Sequence, residues 1–214
     1  LTIDEGIAGY RDFSIARSIA EGLGVEHIPV SFAEYFGITV DEIVMKKGDR
    51  LSCSYCGVLR RHLLNRVAKE QGITRLALGF NLDDEAQSVL MNVLRGDADR
   101  LLRPAGAAEG LVPRIKPFMY IPEREVALYA LLHVKGFEIG RCPYAHNALR
   151  ADVRNLLNDY AWRHPATRYS LVNLGERLRK AGEGGAPATL TCDRCGEPFI
   201  GECRTCRMVS EVLR

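Results

Sequence analysis

The chain has 214 residues, 47% of them hydrophobic and 26% charged, with a formal net charge of +2. These values exclude a disordered or fibrous protein and are typical of a folded chain that buries one sizeable core. The longest apolar runs are too short to cross a bilayer and no charged and apolar leader opens the sequence, so we expect a cytoplasmic protein.

Four short apolar segments bounded by turn or polar residues are predicted strands: Leu1–Ile3, His27–Ser31, Leu76–Phe80 and Leu111–Ile115. Amphipathic helical patterns lie between them. Strands that alternate with helices indicate an α/β fold with a parallel sheet covered on both faces. Ligands bind such sheets beyond the carboxyl ends of the strands, so the loops after Ile3 and Phe80 are candidate sites.

The pattern becomes helical after residue 120, with predicted helices at Glu123–Lys135, Ala151–Trp162 and Leu171–Lys180. Residues 181–190 are rich in glycine and alanine and are predicted to be a linker. We therefore expect an α/β domain over 1–120, a helical extension over 121–180 and a small cysteine-rich tail over 191–214. Because Leu1 starts in a strand, we also expect further sequence upstream.

The tail contains two C-x-x-C pairs, Cys192 with Cys195 and Cys203 with Cys206. Two such pairs on tight turns bring four thiolates to one tetrahedral ion, which predicts a structural zinc site. The tail is too short for a core of its own, so the metal would supply its folding free energy. Two disulfides or a reduced tail are the alternatives.

A third pair, Cys53 and Cys56, precedes a helix predicted to begin near Gly57. The amides and dipole of a helix N-terminus favour thiolate there, which indicates reactive or metal-binding cysteines. A redox dithiol, half of a zinc site and a three-cysteine site completed by Cys142 are all compatible with the spacing. Cys142 alone is equally compatible with an inert buried cysteine.

Three acidic residues, Asp83, Asp84 and Glu85, follow Asn81 at the predicted start of another helix. Capping by Asn81 or Asp83 and complementation of the helix dipole account for two of them. A third carboxylate at the end of a strand could hold magnesium on a nucleotide phosphate.

Charge is unevenly distributed along the chain. Residues 1–50 carry five Lys or Arg against nine Asp or Glu, whereas residues 141–180 are rich in arginine, including Arg150 and Arg154. The arginine-rich part suits a polyanion such as RNA, and a solvated helix surface is the alternative.

Several motifs, taken in order, resemble those of the tRNA 2-thiouridine synthetases of the PP-loop ATP pyrophosphatase superfamily, in the branch related to TtuA. They are Ile3-Asp-Glu-Gly-Ile7, Gly9-Tyr-Arg11, Cys53-Ser-Tyr-Cys-Gly-Val-Leu-Arg60, Gly79-Phe-Asn-Leu-Asp-Asp-Glu-Ala-Gln87, Leu90-Met-Asn92, Arg95-Gly-Asp97, Lys116-Pro-Phe118 and Cys142-Pro-Tyr-Ala145. The terminal cysteine quartet fits as well. The resemblance spans nearly the whole chain and implies the adenine-nucleotide hydrolase-like fold of that superfamily.

Three departures from the family are visible. The Ser-Gly-Gly-Lys-Asp-Ser phosphate loop does not occur in the 214 residues, nor does a leading zinc-binding segment. Phe80 stands where relatives usually have histidine. We expect the phosphate loop to lie upstream of Leu1, with loss of ATP binding as the alternative.

The resemblance implies a 4Fe-4S cluster on Cys53, Cys56 and Cys142, with zinc or a persulfide-carrying dithiol as rivals at that site. It implies ATP with magnesium at Ile3, Asp4, Arg60, Gly79 and Asp84, with Asp84 and Arg60 catalytic. Arg150 and Arg154 with their neighbours, together with the cysteine-rich tail, are candidate tRNA contacts.

The implied activity is ATP-dependent 2-thiolation of a tRNA uridine, by adenylation of the C2 oxygen and then sulfide transfer. The resemblance also implies a ubiquitin-like sulfur carrier with a C-terminal thiocarboxylate and a homodimer. A non-catalytic RNA-binding zinc protein, and a PP-loop ligase that uses a persulfide or ammonia, are the alternative functions.

Overall fold

The computed structural model describes residues 1–10, 13–103, 110–136, 140–145, 149–182 and 189–213. Arg11, most of the predicted linker 181–190 and Arg214 lie outside these residues. Within the described ranges, no helix combines the length and apolar character that crossing a membrane requires.

The chain divides into two compact units, each built from separate stretches of sequence. The first unit comprises Leu1–Gly72, Ala130–Asn147 and Leu190–Arg214, and the second comprises Ile73–Tyr129 and Ala148–Thr189. The domain boundaries expected from the sequence, at 120, 180 and 190, stay a prediction.

The first unit opens with β1 (Thr2–Asp4) and α1 (Phe13–Gly22), and continues with β2 (Pro29–Ser31), α2 (Phe32–Phe36), α3 (Val40–Lys47) and α4 (Ser52–Glu70). Strands β1 and β2 are parallel, with Ile3 opposite Val30. Capping boxes begin α2 at Ser31 and α3 at Thr39, where each hydroxyl accepts a backbone N–H that the helix cannot satisfy.

The second unit contains β3 (Leu76–Ala77), α5 (Leu82–Leu94), α6 (Ala98–Leu102), β4 (Arg114–Ile115), α7 (Glu123–His133), α8 (Leu149–Arg163) and α9 (Thr167–Ala181), with the last turn of α7 assigned to the first unit. Strands β3 and β4 are parallel. Leu82 and Ala86 of α5 pack with Leu157 and Val172 to form its core.

The tail returns to the first unit as β5 (Leu190–Thr191), β6 (Pro198–Phe199) and α10 (Arg204–Leu213). Strands β5 and β6 form an antiparallel pair. Val212 of α10 is 1% exposed and belongs to the core that Phe32, Ile43 and Leu63 form. The tail is therefore integrated into the first unit and completes its core.

The α/β class and the parallel strand pairing are confirmed, but the single sheet is not. The described strands form two separate parallel pairs, β1 with β2 and β3 with β4. These strands are only two or three residues long. The apolar runs that predicted longer strands continue into loops.

Candidate functional site

The loop after β1 is held in a tight turn by two of its own residues. The carboxylate of Asp4 accepts the Gly6 N–H at 2.7 Å, and Gly6 has a φ of +68° that favours glycine. A Cβ on Gly6 would also come within 2.5 Å of Thr39. Asp4 thus has a structural partner in addition to its proposed role at ATP.

Cys53 and Cys56 lie inside α4, which begins at Ser52 rather than near Gly57 as predicted. A short 3₁₀ turn, Asp49–Leu51, leads into this helix, and the Ser52 hydroxyl donates to the Asp49 carbonyl at 2.6 Å. The two cysteines still occupy the first turns of the helix. Because burial raises the pKa of the Cys56 thiol, thiolate formation favoured by the helix N-terminus stays a prediction.

Cys142 lies in the same unit as the α4 cysteines, at the start of a turn that contacts Cys53. In this turn the Ala145 N–H donates to the Cys142 carbonyl at 3.0 Å. The Tyr144 carbonyl in that turn lies 3.7 Å from the Sγ of Cys53. Within the described residues, the sulfurs of Cys53, Cys56 and Cys142 do not form a set within 4.8 Å of one another, as the tail cysteines do. Cys142 is only partly buried, and its role as a ligand stays a prediction.

Tyr144 and Asp41 tie the Cys142 turn to the loop after β1. The Tyr144 hydroxyl donates to Oδ1 of Asp41 at 2.7 Å, and Oδ2 of Asp41 accepts the Ala8 N–H at 2.9 Å. The hydrogen bond to Asp41 raises the pKa of Tyr144, and burial adds to the effect. One carboxylate therefore connects two loops that are distant in sequence.

Arg60 lies between a sulfur and a buried carboxylate. Its Nη2 is 3.2 Å from the Sγ of Cys56 and 2.7 Å from Oε1 of Glu5, which is 2% exposed. Burial raises the pKa of the Cys56 thiol, Arg60 opposes that change, and Glu5 and Cys142 reinforce it. The sharing of one site by all three cysteines stays a prediction.

The four cysteines of the tail converge as the spacing predicted. Their sulfurs all lie within 4.8 Å of one another, including 3.7 Å for Cys192 to Cys206 and 3.5 Å for Cys195 to Cys203. Backbone N–H donors from Cys195 and Arg194 lower the pKa of Cys192 to about 7. This thiol set can hold one metal ion.

Three side-chain contacts fix the tail to the rest of its unit. Glu197 accepts a hydrogen bond at 2.7 Å from Nδ1 of His62, which is 2% exposed. The Tyr55 hydroxyl donates to Glu211 at 2.7 Å. Lys46 donates to the Val212 carbonyl at 2.7 Å.

The acidic turn of the second unit is fully engaged with protein groups. Asn81 and Asp84 form a reciprocal capping box, and Lys116 lies 2.7 Å from Glu85. Asp83 pairs with Arg168 and accepts the Glu123 N–H at 2.7 Å. The capping alternative is therefore confirmed, while magnesium binding by Asp84 stays a prediction.

Arg150 and Arg154 have intramolecular partners in the second unit. Arg150 donates to Gln87 at 3.2 Å and Ser88 at 3.1 Å and lies 3.7 Å from the Asp84 carboxylate. Arg154 lies 3.1 Å from Glu123. Both guanidinium groups hold α8 against its neighbours, so tRNA contacts by either stay a prediction.

The residues proposed for ATP are divided between the units. Ile3, Asp4 and Arg60 belong to the first unit, whereas Gly79 and Asp84 belong to the second. A Cβ on Gly79 would meet no atom within 4 Å, so there is free space beside the Gly79 backbone. Phe80 is 40% exposed, and Lys116 lies over its ring at 5.8 Å.

Sequence reasoning did not single out Glu5, Asp41 or Tyr144 as individual site residues. Glu5 and Tyr144 lie within two of the family motifs. Their positions beside Asp4 and close to Cys142 were the only indications of a role that the sequence offered. Asp41 offered none, because it belongs to the first turn of an ordinary amphipathic helix.

Comparison with known proteins gives relatives along nearly the whole chain. It is 38% identical to the tRNA 2-thiolation protein NcsA of Haloferax volcanii, covering 99% of this chain and 72% of that protein. It is 39% identical to the cytoplasmic tRNA 2-thiolation protein 1 of Caenorhabditis briggsae, covering 98% of this chain and 58% of that protein. No protein-family model matches the chain.

A solved structure has the same fold. The U34-tRNA thiolase NcsA from Methanococcus maripaludis, with its 4Fe-4S cluster, superposes with a TM-score of 0.81 at 37% identity. The match covers 98% of this chain and 68% of that one. The chain thus spans between about three fifths and three quarters of the length of these relatives.

Proposed function

The chain belongs to the family of tRNA 2-thiolation proteins, and from this premise we propose that it replaces the C2 oxygen of a tRNA uridine with sulfur at the expense of ATP. The observation that carries the proposal is that Cys53, Cys56 and Cys142 belong to one unit, in which the turn after Cys142 contacts Cys53. Since the similar Methanococcus maripaludis protein is a U34-tRNA thiolase, U34 is the proposed target base.

Cys53, Cys56 and Cys142 are the proposed ligands of a 4Fe-4S cluster. Three cysteines leave one iron without a protein ligand, and a bound cluster would supply that iron as a place for hydrosulfide. The donor set fits, because sulfur is the ligand that such clusters take. Arg60 adds an N–H donor toward the Cys56 sulfur, which favours the thiolate form that ligation requires.

The proposed reaction has two steps. The C2 oxygen of uridine attacks the α-phosphorus of ATP, pyrophosphate leaves, and the N3 proton is lost. Hydrosulfide then adds to C2, AMP leaves with the former C2 oxygen, and the hydrosulfide proton passes to N3. The product is a 2-thiouridine, and the target base must leave its stack to reach the site.

The chain's own residues have proposed roles in these steps. Backbone groups of Ile3 and Gly79 contact adenosine, and Asp4 lies at the same strand end as Ile3. Asp84 holds magnesium or positions the base. Arg60 stabilises negative charge that develops on phosphate or on the Cys56 sulfur.

The remaining assignments follow from the cysteine quartet and from the family. We assign zinc to Cys192, Cys195, Cys203 and Cys206, because four thiolates that share one ion are typical of structural zinc. A ubiquitin-like thiocarboxylate protein as sulfur donor, a homodimer and a cytoplasmic location complete the proposal.

The test is metal analysis and tRNA analysis of protein purified without oxygen. We expect about four irons and one zinc per chain, with Cys142→Ala losing the iron and retaining the zinc. Incubation with ATP, sulfide and tRNA should yield 2-thiouridine at U34 with the wild-type protein and none with Cys142→Ala. Two zincs without iron, together with unmodified tRNA, would favour a persulfide mechanism or a non-catalytic RNA-binding protein.

A further inference from the structure

A cleft of about 310 Å³ lies between the second half of α4 and the turn around the first cysteine pair of the quartet. This turn, residues 192–197, is called the knuckle. The cationic side chains of the cleft are Arg66 and Lys69 of α4 and Arg194 of the knuckle. Because a water molecule occupies about 30 Å³ in the liquid, the cleft has room for a phosphate and a neighbouring sugar. The proposed thiolation chemistry does not use this space, although the proposed zinc ligand Cys195 forms part of its wall.

The two carboxylates of the cleft are already occupied. Glu197 is held by His62 at 2.7 Å, and Glu70 lies 2.8 Å from Nε of Arg66. By contrast, no ion pair within the described part of the chain involves Lys69 or Arg194. Lys69 and Arg194 are therefore the two cationic side chains of the cleft that remain available to an anion.

The contact between His62 and Glu197 also fixes the geometry of the cleft. His62 is 2% exposed on α4, and Glu197 ends the knuckle that carries Arg194. Gly196, with a φ of +70°, permits the turn between Arg194 and Glu197. The helix and the knuckle that carry the cationic side chains are thus held across the cleft before any ligand arrives, which lowers the ordering cost of binding.

We propose that this cleft binds the phosphate backbone of the RNA substrate, through Lys69 and Arg194 with Arg66 beside them. The inference rests on the proposed function for the identity of the RNA. It narrows the sequence-based expectation to the cysteine-rich tail and α4, because Arg150 and Arg154 already have protein partners. Lysine and arginine contacts of this kind supply affinity and position an RNA without reading its sequence.

The experiment measures the affinity of the protein for tRNA over a series of salt concentrations. For Lys69→Glu combined with Arg194→Glu, we expect at least a tenfold loss of affinity at about 0.1 M salt. We also expect the slope of log affinity against log salt to fall by about 1.5, since each phosphate contact contributes roughly 0.7 to 0.9. The single variant Arg194→Lys, which keeps the positive charge, should retain most of the wild-type affinity.

Lys47→Glu is the matched control, because Lys47 is an exposed lysine of the same unit outside the cleft. It should leave the salt slope unchanged. Zinc content and thermal unfolding of each variant identify any that fail to fold. An unchanged slope in the folded double variant, or an equal loss in Lys47→Glu, would overturn the proposal.

A titration with inorganic phosphate separates an RNA site from a small-anion site. Cleft-dependent phosphate binding with unchanged tRNA affinity would overturn the RNA assignment. Thiolation by the wild-type protein is assayed in parallel. If it thiolates tRNA but the cleft variants bind tRNA normally, only this inference fails, whereas cleft-dependent tRNA binding without thiolation would contradict the proposed function alone.

Discussion

Nη2 of Arg60 lies 3.2 Å from the sulfur of Cys56, one helical turn earlier on α4. Hydrogen bonds to ligand sulfurs are among the factors that set the reduction potential of an iron–sulfur cluster. Arg60→Met removes both the donor and the positive charge, so we expect a lower potential in a potentiometric titration without oxygen. Arg60→Lys, which keeps the charge, should lie between the two. Equal potentials in all three proteins would contradict this role.

Glu5 is the buried counter-ion of Arg60, and its substitution tests the stability of the pair. Glu5→Gln keeps the shape but leaves the guanidinium without a carboxylate. Because the Arg60 side chain is 40% exposed, we expect a loss of roughly 1 to 2 kcal/mol, below the value for a fully buried pair. Urea unfolding measures it, with Glu26→Gln at an exposed position as the control. A change no larger than the control's would mean that solvent replaces the carboxylate.

Asp84 has a capping role in addition to its proposed catalytic role, and two variants separate these roles. Asp84→Ala removes the contact with the Asn81 N–H and should cost about 1 kcal/mol of stability. Asp84→Asn retains a hydrogen-bond acceptor, so we expect nearly native stability but at least a tenfold lower rate of thiolation. Full activity in either variant, measured by thiouridine formation, would show that the carboxylate only caps α5.

The cysteine quartet is expected to stabilise the first unit and not only the tail. Cys203→Ser should remove one metal ion per chain and release α10, whose Val212 is 1% exposed in the shared core. Loss of a comparable apolar side chain from a core costs a few kcal/mol, so the unfolding temperature should fall by several degrees. Retention of the native unfolding temperature after metal loss would mean that packing alone holds the tail.

The hydrogen bond between Tyr144 and Asp41 should make the free energy of unfolding depend on pH in the alkaline range. This hydrogen bond raises the pKa of Tyr144 in the folded protein above the usual value of 10. The protonated phenol is therefore favoured by folding, and its contribution is complete below pH 10 and disappears as the pH rises through the raised pKa. Tyr144→Phe should lose about 0.5 to 1 kcal/mol at pH 8 and less at pH 11. A pH-independent difference in urea unfolding would contradict this linkage.

The sequence predicted best what depends on short-range pattern. The helices at 123, 149 and 167 begin within four residues of the predicted positions, and the quartet converges as its spacing required. The start of α4 was misplaced because Cys53-Ser-Tyr-Cys56 is a metal-binding pattern that does not itself disclose whether it is helical.

What could not be predicted depends on partners that are far apart in sequence. The Tyr144 contact with Asp41 joins residues 103 positions apart, and that between His62 and Glu197 spans 135. The arginine-rich composition around Arg150 indicated RNA, but only tertiary structure shows that its guanidinium donates to Gln87 and Ser88. Pairing of this kind decides whether a charge is available to a ligand.

The position of Val212 in the first core has a consequence for synthesis on the ribosome. Phe32, Ile43 and Leu63 leave the exit tunnel long before α10 is translated. Until then the apolar surface that Val212 later covers stays open, while the intervening second unit can already fold around its own core. We therefore expect chaperones to shield this apolar surface on the nascent chain until α10 has left the exit tunnel.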